Sequence, residues 1–175
     1  MNVIVPEYPG YGPYEGSPSE EQIFKDAISV YEFVISDLGF QPEDIVIIGR
    51  SIGSGPACHV ASLKKVAGLL LISPFSSISE VVEDKFGKVI SMIVRQRFNN
   101  KIKLMGSTCK VHLVHGELDT VVNHSHSLRL KGKLSFMKEV LGNRARLYLQ
   151  KDMDHSIKDM LNQVLAPLLD LFSAS

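Results

Sequence analysis

Three residues of this chain are of the types that together run nucleophilic chemistry: Ser51, Asp119 and His155. A serine hydroxyl is a weak nucleophile until a base takes its proton, and an imidazole does this when a carboxylate holds its ring in one tautomer. Ser51 lies at the centre of Gly49-Arg50-Ser51-Ile52-Gly53, directly after the apolar run Ile45-Val46-Ile47-Ile48 and directly before the small residues Ser54-Gly55-Pro56-Ala57. Strand, G-x-S-x-G, then helix is the context of a nucleophile elbow, a turn sharp enough to strain the serine backbone. The glycines on either side are expected to remove Cβ atoms that would clash where strand and helix nearly touch. Asp119 follows the apolar stretch Val111 to His115, in His115-Gly116-Glu117-Leu118-Asp119, and His155 follows Ala145 to Leu149. Nucleophile, acid and base each come after a strand, in the order Ser51, Asp119, His155.

Other residues compete for these roles. Glu117 could be the acid, but it sits nearer the strand and is expected to point away. Asp152 and Asp154 flank His155 too closely to orient its ring. His112 and His115 face opposite sides of a strand and make poor co-ligands. His124 and His126 have no third partner for a metal. His59 and Cys58, on the helix after the elbow, read as packing residues.

The elements that must position the three residues alternate along the chain. Val3-Ile4-Val5 reads as a short buried strand, followed by a Pro- and Gly-rich loop from Pro6 to Pro18. Ser17 and Ser19 are candidate caps of a helix reaching about Leu38, with Ile23, Phe24, Ala27, Ile28, Tyr31 and Val34 on one face and Gly39 at its end. The strand 45–48, the elbow and a helix to Lys64 come next. Strands are expected at 66–73, 111–115 and 145–149, helices within 78–98 and 124–141, and an amphipathic helix at 157–172. Nearly all-apolar strands alternating with helices imply a mostly parallel sheet covered by helices on both faces, with functional residues in the loops beyond the strands' carboxyl ends.

Composition bounds the rest. The chain has 175 residues, 45% of them apolar, enough for one core and one domain, 1–175. Two cysteines without metal-ligand spacing suit a reducing, cytoplasmic setting. The longest central apolar run, Val66 to Ile72, is too short to span a bilayer, and Pro6 and Glu7 interrupt the start before a signal-peptide core could form. The net charge is +0, yet residues 1–44 hold nine acids and one base, while 85–146 hold thirteen bases and three acids. The segment Lys85 to Lys110 has seven bases, no acid, and apolar residues at helical spacing. It is either a solvated face or a basic amphipathic helix that meets an anionic membrane at its periphery. No aromatic-basic interleaving of a nucleic-acid module is present.

These motifs together resemble a known family. Val5-Pro6-Glu7-Tyr8-Pro9-Gly10-Tyr11-Gly12, Glu15 to Glu20, Gly49 to Ala57, Ser73-Pro74-Phe75, His115 to Asp119 and Asp154-His155 are similar to the second part of an α/β-hydrolase-fold serine hydrolase. The subgroup resembled is the small eukaryotic α/β-hydrolase-domain proteins that include protein depalmitoylases. The resemblance implies Ser51 as nucleophile, Asp119 as acid and His155 as base. It also implies an oxyanion donor at the Ile52 amide, Tyr8 as an oxyanion- or substrate-binding residue, and a short cap at 74–110. It requires no cofactor and no metal. The chain departs from the family by Asp154 before the histidine, where a small residue is usual; a carboxylate there could raise the basicity of His155 or compete for its ring proton. Set against the family's fold, it is expected to start inside the fourth of eight strands and to lack the His-Gly loop that supplies a second oxyanion donor. Segment 2–5 then either pairs with 45–48 or leaves a slot whose open edge invites association. The expected activity is cleavage of acyl esters or thioesters, protein S-depalmitoylation among them. The alternative is a catalytically impaired remnant that binds without turning over. A peptidase is a third reading, with no large cap or propeller to select peptides.

Overall fold

The computed structural model describes residues 2–94, 97–136 and 145–173. Four parallel strands lie side by side in chain order: β1 (Val46–Arg50), β2 (Gly68–Ile72), β3 (Lys110–Gly116) and β4 (Ala145–Gln150). The helices are α1 (Glu20–Ser36), α2 (Ser54–Leu63), α3 (Ile78–Phe86), α4 (Lys88–Ser91), α5 (Asn100–Gly106), α6 (Ser125–Phe136) and α7 (Ala166–Ser173). α7 continues a π-helical turn at Leu161–Leu165.

Side chains alternate across a strand, so each central strand feeds two cores. Leu69 and Leu71 of β2 and Val111 and Leu113 of β3 pack with Tyr31, Cys58, Val60, Leu104 and Leu130 from the helices of one face. Leu70, Ile72 and Val114 turn the other way, against Met153, Val164 and Leu168. β2 is buried throughout, and each of its leucines contributes about 1.5–3 kcal/mol by leaving water. α1 starts where its cap chemistry dictates: the Ser19 hydroxyl accepts the Gln22 N–H at 3.1 Å. It ends at Ser36, with Gly39 in the left-handed region just beyond.

Several expectations need correction. Residues 3–5 form no strand; Val3 is 70% and Val5 84% exposed. Among the described residues β1 pairs only with β2, so the segment 2–5 does not slide over to complete it. Three residues stopped by Pro6 run beside no strand here, the open edge of β1 included, and backbone without a paired neighbour does not become a strand. The last helix begins near Met160 rather than 157, because Asp159 accepts the N–H groups of Leu161 and Asn162 at 3.1 Å each and fixes its start there. α6 covers 125–136 of the helix expected at 124–141; residues 137–141 lie outside the described residues. In the segment 78–98, Gly87 at φ +86° divides two short helices.

Candidate active site

The carboxyl ends of β1, β3 and β4 bring Ser51, Asp119 and His155 together. Ser51 begins a single 3₁₀ turn between β1 and α2 with φ +49°, a conformation L-residues rarely adopt. Among the described residues two other non-glycine positions have positive φ, Ser73 after β2 and Phe98 before α5. A Cβ on Gly49 would stand 2.6 Å from the Ala57 Cβ and 2.7 Å from the Gly53 carbonyl oxygen, so this position must be glycine. The second glycine differs: a Cβ on Gly53 would meet only the Tyr8 hydroxyl, at an ordinary 3.4 Å. The expectation that both glycines are needed for closeness holds at Gly49 alone.

The histidine ring bridges the other two groups. His155 Nδ1 is 2.8 Å from Asp119 Oδ2, and Nε2 is 3.0 Å from Ser51 Oγ. A carboxylate can only accept, so the ring proton sits on Nδ1 and Nε2 is left to accept from the serine hydroxyl. Asp119 is 3% exposed. Its Oδ1 accepts the N–H groups of Val121 at 2.9 Å and Val122 at 2.8 Å. Burial pushes its carboxyl up, but the Val122 N–H and the bond and charge of His155 outweigh it, leaving the group below the usual carboxylate range. Glu117 is exposed, its backbone N–H tied to Gln150.

Further residues shape this arrangement. His115 Nε2 lies 3.4 Å from Asp119 Oδ2 and donates to the Val122 carbonyl at 2.9 Å, while its Nδ1 accepts from Ser127 Oγ at 2.7 Å. Burial holds this imidazole below its ordinary pKa, so it stays neutral and braces the acid loop. Gly116 is the seat of the histidine loop: a Cβ there would fall 2.0 Å from the Met153 carbonyl oxygen and 2.8 Å from that of Asp154. Met153 is fully buried and its carbonyl accepts the Leu118 N–H. Arg50 reaches from the end of β1 to the His155 carbonyl at 2.8 Å. Ser54 Oγ donates to the Ser51 carbonyl at 2.6 Å and accepts from buried Asn100 Nδ2 at 3.0 Å, which also reaches the Phe75 carbonyl at 2.9 Å. Sequence reasoning missed Arg50, Ser54, Asn100 and the bracing role of His115; only the adjacency of Arg50 to Ser51 and of His115 to Gly116 offered a signal. Asp154 does not compete for the His155 ring proton, since Nδ1 bonds Asp119 instead. Its carboxylate accepts the Ser156 N–H at 2.7 Å and pairs with Lys158 at 2.9 Å. Tyr8 stands half-buried beside Gly53, and burial, with Glu7 and Tyr11 nearby, raises its phenol pKa. A cleft of about 450 Å³ opens between α3 and the acid loop, lined by Val81, Asp84, Lys85, Leu118 and Val121 among others.

Comparison with solved structures decides the fold. An α/β hydrolase from Vibrio vulnificus superposes with a TM-score of 0.75 at 20% identity, covering 94% of this chain and 61% of that one. The chain has an α/β-hydrolase fold. Mouse α/β hydrolase domain-containing protein 10 matches 95% of this chain and 76% of its own, with a TM-score of 0.63 at 20% identity. In sequence, the chain is 31% identical over 129 residues to α/β hydrolase domain-containing protein 17B of Xenopus laevis and 30% identical over 129 residues to that of Homo sapiens. Each alignment covers 74% of this chain and 44% of the relative, so the chain spans less than half the length of these relatives. No family model matches it.

Proposed function

We propose that this chain is a serine hydrolase that cleaves carboxylic esters or thioesters through an acyl-enzyme. The observation that carries the reading is the hydrogen-bonded relay from Ser51 through His155 to a buried, ionised Asp119. Ser51 Oγ bonds to the acyl carbon as its proton passes to His155 Nε2. Collapse of the tetrahedral adduct breaks the bond to the leaving oxygen or sulfur, which takes that proton. Water, deprotonated by the same nitrogen, then releases the acid and returns the proton to Ser51. Asp119 holds the ring and stabilises its charged form. The Ile52 N–H, one residue past the nucleophile, and the Tyr8 hydroxyl beside the elbow are the oxyanion donors in this reading.

The segment 74–110 serves as a short cap, which leaves Ser51 open to a bulky or surface-bound acyl group. With the likeness to the depalmitoylase subgroup, this favours long-chain thioesters, acylated proteins among them, over small polar esters. Neither cysteine is in a disulfide among the described residues, which suits the cytoplasm, and no helix of the described residues is long and apolar enough to cross a membrane. Contact with an anionic membrane is peripheral, and the open edge of β1 is the face for any association with another chain.

A fluorophosphonate probe should label the folded chain, and Ser51→Ala should abolish labelling. Labelling that persists in that variant moves the nucleophile elsewhere. A folded parent that is never labelled supports the alternative, a remnant whose incomplete oxyanion hole leaves binding without turnover.

A further inference from the structure

Five large apolar side chains stand together in solvent from the end of α3 to just past α4. Phe86 is 64% exposed, Val89 79%, Ile90 45%, Met92 79% and Ile93 81%. Single exposed hydrophobes are ordinary, but a contiguous run rimmed by charge marks a face that meets something apolar. The local fold enforces the exposure. Gly87 turns the chain out of α3, and in α4 the buried position belongs to Ser91, whose hydroxyl donates to the Lys88 carbonyl at 2.8 Å. The short helix therefore turns Ser91 inward and Val89 and Ile90 outward, the reverse of a helix laid on a core.

Within the segment that carries this ridge the charges are of one sign. Lys85 and Lys88 are exposed, and residues 85–94 contain no carboxylate. The nearest acids precede them: Glu83 is exposed, Asp84 is bound by Arg129 and His126, and Glu80 pairs with Lys101. Not every cation of the basic segment is available in this way. Lys101 is held by Glu80, and Lys103 contacts His59 at 2.8 Å and lies over the Phe24 ring. The surface is thus more apolar than the segment's composition suggests.

We propose that this ridge inserts into the interfacial layer of an anionic bilayer, with Phe86, Val89, Met92 and Ile93 at the acyl boundary and Lys85 and Lys88 among the headgroups. Lysine stems are long enough to leave the ammonium groups at phosphate level while the neighbouring residues sink. Charge complementarity selects anionic lipid as the occupant; a two-fold contact with a second copy would set the lysine-bearing rims of two identical ridges against each other. Position adds a use. Lys85 also lines the cleft that reaches Leu118, Val121 and Asp119, so an inserted ridge holds the mouth of the cleft at the interface where long acyl chains reside. That use rests on the acyl-hydrolase reading, whereas the binding does not.

The test is co-sedimentation of the full chain with phosphatidylcholine vesicles, with and without phosphatidylserine. The chain should bind the anionic vesicles, and the partition coefficient of Val89→Ser/Ile93→Ser should fall at least tenfold, while its circular dichroism spectrum and its hydrolysis of a soluble acetyl ester stay as in the parent. Lys85→Gln/Lys88→Gln should weaken binding several-fold and flatten its salt dependence, since each base near such a surface adds a modest attraction. High salt should reduce the parent's binding without abolishing it. Absence of parent binding, or an unchanged partition of the Val89/Ile93 variant, would overturn the proposal. So would a stable dimer in sedimentation equilibrium that the Val89/Ile93 variant dissolves, because the ridge would then be a self-association face. Ser51→Ala separates the two readings: it should bind vesicles like the parent whether or not the parent proves to be an enzyme.

Discussion

Asp119 and Glu117 stand two positions apart, and their surroundings share almost nothing. Asp119 is buried, takes two backbone N–H groups on one oxygen and faces His155 with the other. Glu117 is in solvent. If ester turnover is measured, Asp119→Asn should lower kcat by a large factor, up to about 10⁴ where an amide replaces a triad carboxylate. Glu117→Gln should stay within a few-fold, and the reverse ranking would reassign the acid. The sequence supplied the three residue types and their order. It did not show that His115 braces Asp119 or that Arg50 holds the His155 carbonyl, because the first contact depends on how the turn after β3 folds back and the second joins β1 to the loop after β4, and neither leaves a periodic trace.

At the scale of the element, the nucleophile turn depends on its two glycines unequally. Gly49→Ala would drive a methyl into the Ala57 Cβ and the Gly53 carbonyl. Such overpacking costs about 1–3 kcal/mol, and the displaced elbow should lose most probe labelling. Gly53 has φ −63° and ψ −15°, helical values with room for a side chain. Gly53→Ala should therefore be neutral or stabilising by roughly 0.5–1 kcal/mol in thermal unfolding and keep its labelling. Equal damage from both variants would show that the space beside Gly53 is taken up during folding or catalysis. The motif is written symmetrically in the sequence; only the packing of α2 against β1 breaks the symmetry.

At the scale of the whole molecule, a buried polar cluster joins α3, α5 and α6 to the loop after β2. His126 Nδ1 accepts the Ser76 N–H at 3.3 Å, its Nε2 faces Asp84 at 3.2 Å, and Ser76 Oγ donates to Glu80 at 2.6 Å. Burial, helped by the charge of Arg129, pushes the His126 pKa down from 6.5 to about 4. The unfolded chain therefore binds the proton more readily, and stability that is complete above pH ~6.5 is lost as pH falls toward ~4, on the order of 3 kcal/mol at most. Buried His112 and His115 are shifted in the same direction and steepen the same window. Urea unfolding at a series of pH values should show this fall. His126→Asn, which keeps an acceptor for Ser76, should flatten it, and an unchanged slope would remove His126 from the account.

The alternation of apolar strands with amphipathic helices determined the parallel sheet, and the positions of Ser51, Asp119 and His155 after three of its strands determined which residues could meet. Those are local and periodic properties, readable wherever burial imposes a period of two or 3.6. The fate of Val3-Ile4-Val5 was not of this kind, because a strand exists only where the chain is brought alongside another strand and pairs with it. Nor was the division of labour among the cations of the basic segment: Lys101 and Lys103 turned inward to Glu80 and His59, while Phe86, Val89 and Ile93 stayed in solvent. Tertiary structure decided these, since pairing and exposure depend on what the rest of the chain places alongside, and sequence spacing does not carry that information.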